Sequence, residues 1–172
     1  MYKQQAANTS EGEQRMNAGI PWATLDTIRR ANWTTANVPL NWRGVMGRRG
    51  LLIAVIHGTW CHACPGQLAW LRRRYAWLAG QGIGVVAVSV DDPAHLAAFQ
   101  STLWVPLPFP LISDQDAALS RALGLYNEVT GITRSAVLMI DRAGSIRFAQ
   151  LDKHSMPEQA RLLEHIEQMP AT

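Results

Sequence analysis

The order of hydrophobic and polar positions predicts alternating buried strands and amphipathic helices. Residues 51–56, "LLIAVI", and 84–90, "GVVAVSV", are nearly continuous apolar runs rich in β-branched side chains. Such runs are typical of strands covered on both faces of a parallel sheet. From Cys64 to Leu78, apolar residues recur at spacings of four and three, which predicts one buried helix face. The strand, helix, strand order favours parallel pairing with right-handed crossovers.

The second half of the chain predicts shorter elements. Asp92 is a candidate helix cap, with Pro93 at the first helical position. Residues 103–111, "LWVPLPFPL", hold three alternating prolines, which predicts a loop or an edge segment. The other predicted elements are a short helix capped by Asp114 or Asp116 and ending at Gly124, hairpin strands at 135–141 and 146–151, and a closing helix from Pro157 with Ala160, Leu163, Ile166 and Met169 on its apolar face.

Length and composition indicate a single folded domain. A chain of 172 residues with 48% hydrophobic content is long enough for one core and short for two. Residues 1–19 are polar and are interpreted as a loosely ordered extension, which leaves residues 20–172 as the domain. Trp22, Trp33 and Trp42 show no clear period and are expected to pack onto the core.

Charge and apolar runs argue against nucleic-acid and membrane partners. The net charge of +3 comes from 16 basic and 13 acidic residues, which is a mild excess. The one basic cluster, residues 72–74, spreads over a wide arc of a predicted helix rather than forming a stripe. No segment approaches the ~20 apolar residues of a membrane span, and no signal-peptide core is present at the start. These features predict a cytoplasmic protein.

The only two cysteines, Cys61 and Cys64, follow the first predicted strand. Pro65 is best placed in the first helical position, which puts Cys64 at or near the N-cap. Free N–H groups and the helix dipole stabilise a thiolate there and lower the thiol pKa. A two-residue spacing also lets the sulfurs close a bridge. The pair therefore predicts dithiol–disulfide redox chemistry.

Three other uses of the pair are less favoured. A structural bridge over so short a loop would stabilise the fold little. Haem attachment needs a histidine where Pro65 stands. A zinc site needs four ligands, and beyond the pair the chain offers only scattered single histidines, so no metal and no cofactor are predicted; these histidines are His57, His95, His154 and His165.

Longer segments resemble a known family. "TWCHAC" resembles the thioredoxin superfamily, and "VSVDDPAHLAAF", "FPLISDQDAALSRALGLY" and "GITRSAVLMIDRAGSIRF" resemble its peroxiredoxin branch, the alkyl hydroperoxide reductase and thiol-specific antioxidant family, over about residues 50–168. The resemblance implies an α/β thioredoxin-like fold, with a central mixed sheet flanked by helices. It implies a thiol-dependent oxidoreductase that reduces peroxides. It also implies a thioredoxin-, glutaredoxin- or glutathione-type reductant, and it is compatible with a homodimer.

The resemblance also implies roles for individual residues. Cys64 followed by Pro65 fits the peroxidatic position, with Cys61 then resolving the sulfenic acid. Arg134 matches the arginine that assists the thiolate and the peroxide oxygen. The chain departs from the family where His57 replaces a proline and Cys61 replaces the threonine that orients peroxide.

Two alternative functions stay open. A protein-disulfide reductase of the thioredoxin type is one, although its buried acid and its cis-proline are replaced here by Val55 and Thr133. A redox-inactive interaction module using the "LWVPLPFP" stretch, through Trp104 and Phe109, is the other. Supporting candidates at the site are His57 as a base, His62 as a modulator of the redox potential, Trp60 and Thr133.

Overall fold

A seven-stranded mixed sheet organises residues 34–35, 38–151 and 156–171, which are those that the computed structural model describes. Its strands and a separate two-stranded pair are β1 (Thr34–Thr35), β2 (Val38–Pro39), β3 (Gly50–Val55), β4 (Ile83–Ser89), β5 (Leu111–Ser113), β6 (Tyr126–Asn127), β7 (Ile132–Thr133), β8 (Ala136–Asp141) and β9 (Ile146–Leu151). The helices are α1 (Trp42–Val45), α2 (Cys64–Gly80), α3 (Pro93–Ser101), α4 (Ala118–Ala122) and α5 (Gln159–Glu167). No helix in these ranges is long and apolar enough to cross a membrane.

The strand order in the large sheet is β2-β1-β5-β4-β3-β8-β9, and β6 pairs with β7 separately. Strands β3, β4 and β5 are parallel, whereas β8 and β9 at one side and β1 and β2 at the other are antiparallel to their neighbours. The predicted central mixed sheet flanked by helices is therefore confirmed, and the parallel pairing expected from the strand–helix alternation holds for β3, β4 and β5.

Strand β3 lies at the middle of the core because its side chains are buried on both faces. Leu52, Ala54 and Ile56 contribute to one hydrophobic cluster, covered by α2 and α5. The alternate residues, Leu51, Ile53 and Val55, contribute to a second cluster with side chains of α4. A strand buried in this way needs a continuous apolar run, which is the pattern read at residues 51–56.

Several predicted elements differ in detail. In α5 the buried face is Leu162 and Ile166, continued by Met169, whereas Ala160 is exposed and Leu163 is only half-buried. The cap of α4 is Ala117 by backbone position, although the Asp114 carboxylate does accept the N–H groups of its first turn. The strands β1, β2, β6 and β7 and helix α1 were not predicted.

Some predictions concern residues outside the described ranges. The extension at residues 1–19 lies there, and so do Trp22 and Trp33. Trp42 is described, and it packs half-buried against the second cluster as expected.

The sheet topology places several chain segments at one edge. Because β3, β4 and β5 are parallel, their carboxyl ends meet there. The antiparallel strand β8 begins at the same edge, since Val55 pairs with both Val88 and Ala136. The loops after β3 and β4 and the segment before β8 are therefore neighbours.

Candidate active site

Cys61 lies in the loop between β3 and α2, Cys64 is the first residue of α2, and two consecutive turns lead into the helix. The Cys61 N–H donates to the Gly58 carbonyl at 3.1 Å, and the Cys64 N–H donates to the Cys61 carbonyl at 3.2 Å. The second turn holds the two cysteine Cα atoms within about 7 Å, which covers the range found in disulfides. Both cysteines are free thiols in this structure, and a bridge can form between them without displacing the helix.

The two cysteines occupy different environments at the start of α2. Cys64 is the first helical residue and is only 1% exposed, within the cluster that includes Leu68. Cys61 precedes the helix and is half-buried. The N-cap is Ala63, one residue before the predicted position, and it supplies no side-chain hydrogen bond to the free N–H groups.

Hydrogen bonding makes the two thiols ionise unequally. Partial burial alone would raise the pKa of Cys61, but hydrogen bonds from the Cys64 thiol and from the N–H groups of Ala63 and Cys64 lower it below the ordinary value. Burial raises the pKa of Cys64 to about 11, and the hydrogen bond with Cys61 adds to the effect, against the N–H groups of Gly58 and His57. Of the two thiols, Cys61 therefore ionises at the lower pH, and Cys64 is the thiol that donates a hydrogen bond to its sulfur.

His57 lies next to the two cysteines, just after the end of β3. Its Nδ1 lies 3.6 Å from Cys61 Sγ, within hydrogen-bond distance for sulfur. The ligating atoms of His57, Cys61 and Cys64 all lie within 4.8 Å of one another. The imidazole can therefore exchange a proton with the exposed sulfur or share a bound ion with both sulfurs.

Asp91 is a site residue that the sequence analysis missed. Its Oδ2 accepts the Thr59 N–H at 2.7 Å and the Ser89 hydroxyl at 2.7 Å, while its carbonyl accepts the Ser113 hydroxyl at 2.8 Å. The carboxylate ties the loop before Cys61 to the end of β4. The available signal was an acid directly after a buried strand, since parallel strands end at a common edge.

Arg134 and Thr133 lie at the same edge of the sheet. Thr133 and Arg134 come just before β8, whose first residue, Ala136, pairs with Val55 at the end of β3. Arg134 is half-buried, and its N–H donates to the Leu125 carbonyl at 2.8 Å. The two residues therefore lie near the edge of the sheet at which the cysteine loop begins, and the roles implied for their side chains stay predictions.

Among the buried side-chain oxygens without a hydrogen-bond partner in the described residues are Oγ1 of Thr133 and Oε1 of Gln67. Thr133 is fully buried, and Gln67 lies one helical turn after Cys64. Both oxygen atoms are closed to solvent, and leaving a buried polar atom without a partner is unfavourable.

The remaining predicted site residues are exposed. Trp60 is 63% exposed, and a β-carbon on residue 58 would lie 2.3 Å from its Nε1, so Gly58 allows the indole to lie over the backbone. His62, between the cysteines, is exposed. In the predicted contact surface, Trp104 is 98% exposed, but Phe109 is buried against Tyr75 and does not belong to a surface.

A family model matches residues 32–149 and describes the AhpC/TSA family. The chain belongs to the AhpC/TSA family. Alkyl hydroperoxide reductase E of Mycobacterium tuberculosis is 31% identical over 124 residues, which is 70% of this chain and 78% of that protein. Peroxiredoxin 1 of Sulfuracidifex metallicus is 32% identical over 89 residues, 49% of this chain and 41% of that protein.

Two solved structures share the fold of this chain. Enterococcus faecalis AhpC superposes with a TM-score of 0.66 at 18% identity, covering 76% of this chain and 80% of that one. The reduced 2-Cys peroxiredoxin of Plasmodium vivax gives a TM-score of 0.64 at 16% identity, over 75% of this chain and 82% of that one. The resemblance, the thioredoxin-like fold and the thiol-based oxidoreductase class expected from the sequence are therefore confirmed.

Proposed function

We propose that this AhpC/TSA-family protein reduces peroxides by cycling Cys61 and Cys64 between a dithiol and a disulfide. The observation that carries the proposal is the pairing of Cys61, whose thiol pKa is lowered, with the buried thiol of Cys64, whose pKa is raised, within one turn at a helix start that has no side-chain cap. The matched relatives named as alkyl hydroperoxide reductase and peroxiredoxin support peroxide as the substrate.

The first step is attack by the more exposed thiolate. The Cys61 sulfur forms a bond to the outer peroxide oxygen, the O–O bond breaks, and the leaving alkoxide or hydroxide takes a proton to become an alcohol or water. Cys61 is then a sulfenic acid. Arg134, near the same edge, is proposed to stabilise the charge that develops on the leaving oxygen.

The second step closes the bridge. The Cys64 sulfur attacks the Cys61 sulfur and gives up its thiol proton, the S–S bond forms, the S–O bond breaks, and the hydroxyl gains a proton and leaves as water. His57, at 3.6 Å from Cys61 Sγ, is placed to relay the proton from Cys64 to the leaving hydroxyl. An external thiol of the thioredoxin, glutaredoxin or glutathione type then reduces the disulfide. The cytoplasmic location and the homodimer stay predictions.

This order reverses the one that the family resemblance implies. The resemblance assigns first attack to Cys64 because Pro65 follows it. Cys64 is only 1% exposed and its pKa is raised to about 11, whereas Cys61 is half-buried and its pKa is lowered. A nucleophile needs both ionisation and access, and these two properties support Cys61.

Single-turnover stopped flow with two matched variants tests the proposal. Cys64→Ser should keep a fast first reaction with peroxide and accumulate a sulfenic acid on Cys61, which mass spectrometry detects as one added oxygen. Cys61→Ser should lose the fast phase. The opposite pattern would assign first attack to Cys64, and peroxide rates no faster than those of free cysteine in both variants would overturn the peroxidase proposal.

The same asymmetry favours a second candidate, a protein-disulfide reductase. An exposed thiolate followed by a buried thiol is the arrangement that thiol–disulfide exchange requires, since the first sulfur attacks and the second releases the mixed disulfide. Reduction of insulin disulfides measures this activity. Fast reduction through Cys61, with peroxide left unreacted, would make disulfide reduction the function.

A further inference from the structure

We propose that the reduced protein binds one thiophilic divalent cation of the zinc class between His57 Nδ1, Cys61 Sγ and Cys64 Sγ. The three ligand atoms come from the loop after β3 and the first residue of α2, and they lie within 4.8 Å of one another. This inference goes beyond peroxide reduction, and the binding of the ion does not depend on it.

The spacing of the ligand atoms suits a small tetrahedral ion. Zn–S bonds of about 2.3 Å and Zn–N bonds of about 2.0–2.1 Å imply an S···N separation of about 3.6 Å and an S···S separation of about 3.8 Å. The distance from His57 Nδ1 to Cys61 Sγ is 3.6 Å. Small rotations of the cysteine side chains can then set both sulfurs at bonding distance from one ion.

The donor set selects the class of ion. Two thiolates and one imidazole are soft or intermediate ligands, which favour zinc-like ions over magnesium and calcium. Three protein ligands leave the fourth tetrahedral position open, as in reactive zinc sites. Cys61 and His57 are half-buried, so an ion and a fourth ligand, water or an external thiol, can enter from solvent.

The spacing of the three ligands along the chain does not reveal this site. Counting ligands along the sequence finds one cysteine pair and single histidines, and it marks His57 as a candidate base rather than as a metal ligand. The turn at Gly58–Cys61 folds the end of β3 back towards the helix start, since the Cys61 N–H donates to the Gly58 carbonyl. That turn brings the imidazole to the sulfurs.

Ion binding and disulfide formation exclude each other. Binding displaces the two thiol protons and engages both sulfur atoms. Oxidation of the loaded site by a hydroperoxide would transfer two electrons to the O–O bond and form the S–S bond. It would consume two protons, yield an alcohol and water, and release the ion. The site would therefore hold the ion only in the reduced protein.

Zinc titration of the full chain tests the proposal. The protein is reduced with a phosphine, freed of metal with a chelator, and titrated with Zn²⁺ against a chromophoric competitor. We expect one ion per chain, and none in the oxidised protein. His57→Ala and Cys64→Ser should each weaken binding by at least about 100-fold, more than loss of an outer partner of a ligand typically costs. His95→Ala, which removes an exposed imidazole elsewhere, should bind as the wild type does.

Cobalt adds a readout that does not rely on affinity. Co²⁺ in the reduced wild type should show sulfur-to-metal charge-transfer bands and the d–d bands of a tetrahedral site, and His57→Ala should alter the d–d bands. Circular dichroism checks the fold of each variant, with His57→Gln as a second substitution. Binding that is absent in the reduced protein, equal in the oxidised protein, or unchanged in both His57 variants would overturn the proposal, whatever the peroxide kinetics show.

Discussion

Two strand-to-helix junctions lie side by side at the same edge of the sheet and are built alike. Strand β3 leads into α2 and strand β4 into α3, and each helix has a proline in its first turn. At α3 the N-cap is Asp92, whose Oδ1 accepts the His95 N–H at 2.9 Å. At α2 the N-cap is Ala63, which offers no side-chain acceptor.

The difference between the junctions lies in which anion occupies the positive end of the helix. A helix N-terminus presents free N–H groups and a partial positive charge, which favour any nearby anion. Asp92 places a permanent carboxylate at α3, and the result is a structural cap. At α2 the available anion is the Cys61 thiolate, which receives the Ala63 and Cys64 N–H groups. The unfilled cap thus favours a reactive sulfur.

The largest effect that we expect from this difference between the junctions is a difference in reactivity between the two thiols. With the pKa of Cys64 raised to about 11, about one in 10⁴ of these thiols is ionised at pH 7, against about one in 100 for an ordinary thiol with a pKa near 9. The pKa of Cys61 is lowered, so Cys61 should react with iodoacetamide at least about 100-fold faster.

Peptide mass spectrometry after timed alkylation measures both rates across pH. The midpoint of the rise in the Cys61 rate should lie below the ordinary cysteine pKa, because the pKa of Cys61 is lowered. The Cys64 rate should keep rising towards pH 11. In denaturant the two rates should converge, and equal rates in the folded protein would contradict the assignment of the thiolate to Cys61.

The elements around the site could be predicted from the sequence where neighbouring residues alone determine them. Strand β3 and the Asp92–Pro93 start of α3 each follow from neighbouring residues, and the structure has both. The approach of His57 to Cys61 and the bond from Thr59 to Asp91, 32 positions along the chain, depend on turn geometry and strand register, which no local pattern encodes.

In helix α5, too, the local sequence does not determine which face is buried. Leu162 and Leu163 are adjacent, so the apolar period fits two phases that differ by one residue. The structure buries Leu162, with Ile166 and Met169, because packing against β9 and the first core cluster selects that phase.

Filling the open cap with a fixed charge should reduce the reactivity of Cys61. Ala63→Asp would put a carboxylate within about 6 Å of the Cys61 sulfur, where like-charge repulsion of about 1 kcal/mol is expected. The pKa of Cys61 should rise, and alkylation at neutral pH should slow about fivefold. Ala63→Asn is the uncharged control of the same shape and should stay close to the wild type. An equal effect of both substitutions would show that bulk, not charge, is responsible.

Removing the Asp91 carboxylate, which connects the two junctions, should slow Cys61 alkylation less than Ala63→Asp does. Asp91→Ala would leave the Thr59 N–H and the Ser89 hydroxyl without their acceptor, which costs about 1–3 kcal/mol in unfolding free energy when such groups are buried. The loosened loop should slow Cys61 alkylation a few-fold. Asp91→Asn keeps one acceptor oxygen and should fall between Ala and wild type. Wild-type alkylation rates in Asp91→Ala would show that the bond does not position the loop.

The smallest effect on the reactivity of the thiols is expected from removing Asp92, the N-cap of α3. Asp92→Ala removes the acceptor of the His95 N–H and the ion pair with the His95 ring, whose Nδ1 lies 2.6 Å from Oδ2. The melting temperature should fall by a few degrees, as for loss of a helix cap, while Cys61 alkylation stays unchanged.

The pH dependence of this fall in melting temperature follows from two opposite pKa shifts, one of Asp92 and one of His95. Hydrogen bonds from the His95 N–H and ring lower the pKa of Asp92, so its contribution is present at neutral pH and disappears as pH falls through the lowered value. The hydrogen bond to Asp92 raises the pKa of His95, so the charge on the ring stabilises the fold below the ordinary histidine pKa and is lost as pH rises through the raised value. The difference in melting temperature between wild type and Asp92→Ala should therefore be larger at pH 6 than at pH 9, as differential scanning fluorimetry can measure. A change in Cys61 alkylation in this variant would mean that the two junctions share one electrostatic environment, and the contrast between a structural and a reactive helix start would fail.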